Sequence, residues 1–242
     1  MKEMKIMKEM KIMKEMKGMK KMKGMQVLFS LLSLLSLFSF PQLSFAQKDA
    51  KAKEWLDKSS AAFNKAGALS VYFTMNIKDT PNKVSESFDG TIDLKGSKFH
   101  LDIPEMETWF DGKTQWVLQK GWDEVSITEP SAQEAQALNP AVIFDMYKKG
   151  CNYKYRGEKT DLKGKKVQEV ELIPKVKNSD MTKIVMQISS GDSMPAMIHI
   201  FYKNKIENII HINKYQKNLN LADSVFVFDK KKHPNAEIID LR

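Results

Sequence analysis

The side chains able to do chemistry in this sequence are few, and their spacing does not suit it. Histidines stand at 100, 199, 211 and 233. None begins a His-Glu-x-x-His or other short metal-ligating pattern, so no metal is expected. His199 and His211 fall within strand-like runs and read as polar-face residues. Cys151 is the only cysteine and has no histidine close in sequence to take its proton, so it reads as a small buried residue rather than a nucleophile. A Gly-x-Ser-x-Gly elbow is absent, and the stretch from Gly157 to Lys165 has the wrong gap for a phosphate-cradling loop. Asp102, Asp111 and Glu124 offer carboxylates for acid–base work, but carboxylates are common on the solvent side of strands. The lysine runs at 163–166 and 230–232 lack interleaved aromatics, which fits solvated turns and not a nucleic-acid footprint. The expectation is a non-enzyme that carries no cofactor.

What the chain does carry is apolar alternation, strongest from Ser87 to Ile127. Phe88, Gly90, Ile92 and Leu94 alternate with polar residues, then Phe99, Leu101 and Ile103, then Val125 and Ile127. A period of two places such residues on one face of a strand. Between the runs lie Lys95-Gly96-Ser97 and Asp111-Gly112, both hairpin signals. The reading is an antiparallel meander with one apolar face.

The formal charge of +9 over 242 residues is mostly a property of the first 46. These hold nine Lys and three Glu, leaving 30 basic and 27 acidic residues in 47–242. Met1 to Met25 is a period-three Met/Lys run. In a helix that step drifts by 60°, so it builds neither a Met groove nor a coiled coil, and Met19, Met22 and Met25 are candidate initiators. The 14 mostly apolar residues Val27–Phe40 precede Ser44-Phe45-Ala46. A basic region, a short apolar region and a small-residue site make a secretory signal peptide cleaved near Ala46, with one domain over 47–242. The lone cysteine permits no internal disulfide, and none stands at the cleavage point to be lipidated. A soluble, monomeric, periplasmic protein is expected.

Within 47–242, Ala52, Trp55, Leu56, Ser59, Ala62, Phe63 and Ala66 follow helical spacing up to a Gly67 stop. Val71, Phe73, Met75 and Ile77 make a first strand that turns at Thr80-Pro81-Asn82. Pro130–Lys149 reads as two short helical pieces broken before Pro140, with Leu138, Val142, Ile143, Met146 and Tyr147 on their apolar side. Such an insertion is either fixed core or a mobile lid. Strands then resume around Tyr153 and Tyr155, over Val167–Ile173, Thr182–Ser189, Ala196–Tyr202 and Ile206–Ile212, and a last short one holds Phe226 and Phe228. About eleven strands result, in an α+β, mainly β fold: an incomplete antiparallel barrel with an N-terminal helix. The candidate lining of its hollow is Phe73, Met75, Phe88, Ile92, Leu94, Phe99, Leu101, Trp109, Trp116 and Met186. Aromatic and Met side chains suit an irregular apolar ligand, although a hollow filled by these same residues is the plainer alternative.

Several of these elements together resemble the periplasmic outer-membrane lipoprotein carriers of the LolA type. They are the leader, the helix after it, Phe88-x-Gly90-x-Ile-x-Leu94-Lys, Lys98-Phe99-x-Leu-x-Ile-Pro104, Trp109-Phe-Asp-Gly-Lys-Thr-x-Trp116, and the C-terminal Phe226-x-Phe228, Pro234 and Ile239-Asp240. The resemblance implies an unclosed barrel whose cavity receives lipoprotein acyl chains under a helical lid. It also implies cargo received from an inner-membrane ABC-type lipoprotein-releasing transporter and passed to an outer-membrane acceptor of unknown identity. A lipid-sensing or interaction module on the same fold is the alternative. Many members have an Arg-Pro pair after the second strand whose Arg holds the lid. Here that turn is Lys95-Gly96-Ser97-Lys98, and arginine occurs only at 156 and 242. A lysine lacks the bidentate fork, so lid closure by that contact is not expected.

Overall fold

The computed structural model describes residues 49–131, 147–176 and 179–242. The expected lid residues Leu138, Val142, Ile143 and Met146 lie outside them. Helix α1 spans Ala50–Lys65. Asp49 caps it by accepting hydrogen bonds from the Lys51 and Ala52 N–H groups, and Gly67 leaves the C-terminal turn at φ +64°. Ala52, Leu56, Ser59 and Ser60 are buried on the face the spacing marked out.

Twelve strands follow: β1 Leu69–Asp79, β2 Val84–Lys95, β3 Lys98–Asp102, β4 Met106–Phe110, β5 Gln115–Gln119, β6 Glu124–Thr128, β7 Cys151–Thr160, β8 Lys166–Pro174, β9 Met181–Ser189, β10 Pro195–Tyr202, β11 Ile206–Gln216 and β12 Glu237–Asp240. They form one sheet in the order β12-β6-β5-β4-β3-β2-β1-β11-β10-β9-β8-β7, with β12 and β7 as free ends, so the barrel is unclosed. Neighbours pair antiparallel except β12, which joins β6 in parallel. The C-terminal end departs from expectation in two ways. Asp223–Phe226 is a 3-10 turn rather than part of a strand, and the final strand comes later, on the free edge of β6.

The expectation of one apolar face holds for only half the sheet. Across an antiparallel pair, residues directly opposite point the same way. Ile92 faces Leu101, which faces Thr108, while His100 faces Trp109, which faces Trp116, which faces Ile127. Phe99, Leu101 and Phe110 therefore share the face with Phe73 and Ile92, and Trp109, Trp116, Leu118, Val125 and Ile127 lie on the other. The register of these hairpins reverses, at each turn, whether odd or even residues point to the helix, so alternation inside each strand survives while the apolar side changes.

Three apolar clusters result. Helix α1 covers β7–β9 on one face through Ala52 and Leu56 with Tyr153, Leu172, Ile184 and Met186. On the same face a second cluster joins Ala66, Leu69, Val71, Phe73, Ile92, Leu94, Phe99, Phe110 and Met194, and Phe63 packs against both. The third, Trp109, Leu118, Val125, Ile127 and Ala236, sits on the opposite face under the C-terminal segment.

Candidate functional site

Helix α1 covers only part of its face. Its N-terminal half lies on β7–β9, its C-terminal half reaches β1–β2, and the chain re-enters the sheet at Leu69. At that end the turns carry Gly96, Gly112 and Ser190–Ser193. Leu69, Val71, Leu94, Phe99 and Phe110 beneath it are at most 5 % exposed.

Toward the opposite end, the same face continues as a strip of half-buried apolar side chains. Met75 and Ile77 supply β1, Phe88 β2, Leu101 and then Ile103 β3, Ile210 β11, and Ile198 and Ile200 β10. Register brings them side by side: Met75 lies opposite Phe88 and Ile210, and Ile210 opposite Ile198. Gly90 marks where the strip begins. It lies opposite Phe73, and a Cβ built there would fall 2.8 Å from Phe73 Cε2 and 2.9 Å from Ile103 Cγ2. The absent side chain lets the Phe73 ring lie across the sheet.

The ten residues expected to line a hollow divide four ways. Phe73, Ile92, Leu94 and Phe99 are buried in the cluster under the end of α1. Met186 is fully buried under its first half. Met75, Phe88 and Leu101 lie on the half-buried strip. Trp109 and Trp116 are on the other face and are corrected here. Trp109 is 5 % exposed and packs edge-on to Phe228 and His233 at 5.4 and 5.6 Å, so it anchors the C-terminal segment. Ile77, Ile103, Ile198, Ile200 and Ile210 were missed. The first two were visible as inward positions of strands already read. The others were hidden because Ile198, Phe201, Ile209 and Ile210 put apolar side chains on both faces.

The polar groups around this face are structural. Tyr147, which follows the undescribed residues 132–146, is 2 % exposed and donates from its hydroxyl to Asp57 Oδ1 of α1 at 2.7 Å. It also meets Tyr153 edge-on at 6.2 Å. The exit of the expected lid segment is thus fixed to α1. Asp49 Oδ2 accepts from the Tyr155 N–H of edge strand β7 at 2.9 Å, so one carboxylate caps the helix and blocks part of that edge. Lys95 and Lys98, which flank the turn between β2 and β3, bind Asp223 at 2.9 and 2.8 Å. Hydrogen bonds from Lys98 and Lys95 hold the Asp223 carboxyl down at about 2. These lysines tie β2 and β3 to the 3-10 turn.

On the opposite face His100 stacks on Trp109 at 5.2 Å, with Glu107 Oε1 2.7 Å from Nε2 and Asp93 Oδ2 3.8 Å from Nδ1. Burial disfavours its charge, but Asp93 and Glu107 outweigh it and lift its pKa to about 9. Ser70 donates to Asp93 and not to the imidazole, so His100 does not activate this serine. His199 lies on this face against Glu207 at 2.8 Å and stacks on Phe201 at 3.9 Å. Cys151 is fully buried, and burial raises its thiol pKa, the reverse of a reactive cysteine. Among the described residues no His, Cys, Asp and Glu cluster could hold a metal ion.

Several solved structures are similar to this chain. An uncharacterized conserved protein from Thermus thermophilus superposes with TM-score 0.53 at 12 % identity, covering 78 % of this chain and 99 % of that one. The Mycobacterium tuberculosis lipoprotein LppX gives 0.47 at 14 % identity, over 72 % and 100 % of the two chains. A putative outer membrane lipoprotein-sorting protein domain from Vibrio parahaemolyticus gives 0.39 at 11 %, over 75 % and 99 %. No curated protein sequence matches. The family model for the outer membrane lipoprotein carrier protein LolA matches residues 43–203, and the chain belongs to that family.

Proposed function

We propose that this chain is an exported carrier that holds the acyl chains of lipoproteins along the part of its helix-bearing face that α1 leaves uncovered and delivers them between membranes. The observation that carries the reading is the strip Met75, Ile77, Phe88, Leu101, Ile103, Ile198, Ile200 and Ile210. It borders the two apolar clusters that α1 covers, and its side chains stay half-buried. Family membership supports the lipoprotein class of cargo. The basic and apolar leader supports export to the periplasm. Among the described residues no helix is long and apolar enough to cross a membrane.

Each buried methylene is worth about 0.8 kcal/mol, so a chain of about sixteen carbons offers on the order of 10 kcal/mol. A site that captured all of it would not release its cargo. Part is offset when the ligand displaces protein from the strip, and we assign that displacement to the segment carrying Leu138, Val142, Ile143 and Met146. Spin labels at Val142 and Phe88 test this step. Acyl ligand should lengthen their separation, and an unchanged distance removes the displacement from the mechanism. Mass spectrometry of material copurified from the producing cell tests the carrier itself. Acylated lipoprotein is the expected finding. Recovery of protein free of any acylated species, together with failure to bind a fluorescent acyl probe, would reject the proposal.

A further inference from the structure

The end of the strip that α1 leaves uncovered coincides with one rim of the sheet, where an indole projects. In an antiparallel meander alternate turns lie at the same end. Asp79 lies opposite both Val84 and Ile206, Asp102 opposite Glu107, and Met106 opposite Gln119. The turns 80–83, 103–106, 120–123 and 203–205 therefore share one end, and Met75, Ile77, Phe88, Leu101 and Ile103 lie toward it. Trp122 stands on the third of these turns and is 83 % exposed. Its turn is tightly built: the Trp122 N–H donates to Gln119 O, the Lys120 N–H donates to Glu105 O, and Asp123 holds φ at +51°. The indole is displayed by a fixed backbone. Val84, where β2 leaves the 80–83 turn of the same rim, is 46 % exposed.

We propose that this rim docks on a lipid bilayer, with the Trp122 indole at the headgroup level and the apolar strip opening onto the acyl region. The inference rests on the carrier reading above. Three observations favour a bilayer as the occupant. Tryptophan, apolar in body with one N–H donor, partitions to membrane interfaces. Lys83, Lys203 and Lys205 stand on the same rim and take part in no ion pair among the described residues, against Glu105 and Asp123, so the turns favour an anionic surface. Docked this way, an acyl chain leaves the bilayer for the strip without crossing water, which removes the largest barrier to its transfer.

The test uses the chain as purified from its cell, with vesicles of phosphatidylcholine alone or mixed with phosphatidylglycerol. Some vesicles carry brominated acyl chains that quench nearby indoles. Sedimentation with the mixed vesicles and quenching of tryptophan emission are expected. Trp122→Ala should weaken that binding roughly tenfold or more, as expected on withdrawing a large apolar side chain from an apolar contact. Lys203→Glu and Lys205→Glu should each weaken it by about fivefold or more. A fluorescent acyl probe in vesicle-free solution should bind the parent and Trp122→Ala equally. Loss of probe binding by the parent rejects the carrier reading and leaves the vesicle result to be judged alone. Equal vesicle binding by the parent and Trp122→Ala overturns the docking proposal, as does binding that appears only when membrane proteins are present. Loss of probe binding in Trp122→Ala alone overturns it too, because the residue would then serve the fold or the strip.

Discussion

His100 makes a quantitative prediction about how this sheet responds to pH. Its ordinary pKa of 6.5 rises to about 9 in the folded chain, because Asp93 and Glu107 face the ring and outweigh the burial that opposes its charge. The ring also stacks on Trp109, and Ser70 donates to Asp93. With a raised folded pKa, the folded state holds the proton between pH 6.5 and 9 while the unfolded chain has lost it. The stabilisation is therefore complete below pH 6.5 and disappears as pH climbs through 9. A rise from 6.5 to about 9 corresponds to about 3 kcal/mol. That is an upper figure, since Asp93 at 3.8 Å lies beyond hydrogen-bond reach. Urea unfolding monitored by tryptophan emission at closely spaced pH values should show this fall in the parent. It should be largely absent in His100→Gln, which keeps a polar partner for Glu107 but cannot titrate. His211, whose pKa burial lowers, pushes stability the other way below pH 6.5, so the comparison belongs above that value. Parallel pH profiles for the two proteins would refute the reasoning.

Other substitutions separate the two faces of the sheet. Phe88→Asp, on the half-buried strip, should weaken acyl-probe binding at least tenfold, measured by fluorescence titration, while the fold persists by circular dichroism. Trp109→Leu should leave probe affinity within about twofold while lowering stability by about 2 kcal/mol in urea titration, because it loosens the C-terminal segment. Gly90→Val places atoms where the Phe73 ring and Ile103 lie and should cost about 1–3 kcal/mol. The double variant Gly90→Val/Phe73→Ala should recover part of that loss in the same titration. Asp49→Ala removes a helix cap and the acceptor for Tyr155, and should cost about 1–2 kcal/mol with faster amide exchange at Tyr155.

The helix and most strands were legible because they depend on local periodicity. Ala52, Leu56 and Phe63 recur at helical spacing, and Leu69–Asp79 alternates, so each buried face is written into a few neighbouring residues. The side of the sheet to which each strand turns was not. It depends on register across hairpins, and a shift of one residue reverses it. Trp109 and Trp116 were therefore grouped with Phe99 although they face away from it. Phe226 and Phe228 alternate as a strand would, yet Asp223–Phe226 is a 3-10 turn with the Lys95 and Lys98 ammoniums on Asp223, a long-range contact that no local pattern encodes. In the sequence Lys95 and Lys98 are visible only as basic residues flanking the Gly96-Ser97 turn. What they bind required the structure.

In the proposed carrier an acyl chain lies on the helix-bearing face, on the strip beside α1. The most direct measurement is photocrosslinking of a lipid-acylated peptide to the protein, with a photoreactive side chain placed singly at Phe88 or at Trp116. These two residues share the meander but face opposite sides of the sheet. Adducts at position 88 and none above background at 116 are the predicted result. Adducts at 116, or equal labelling at both, would contradict it.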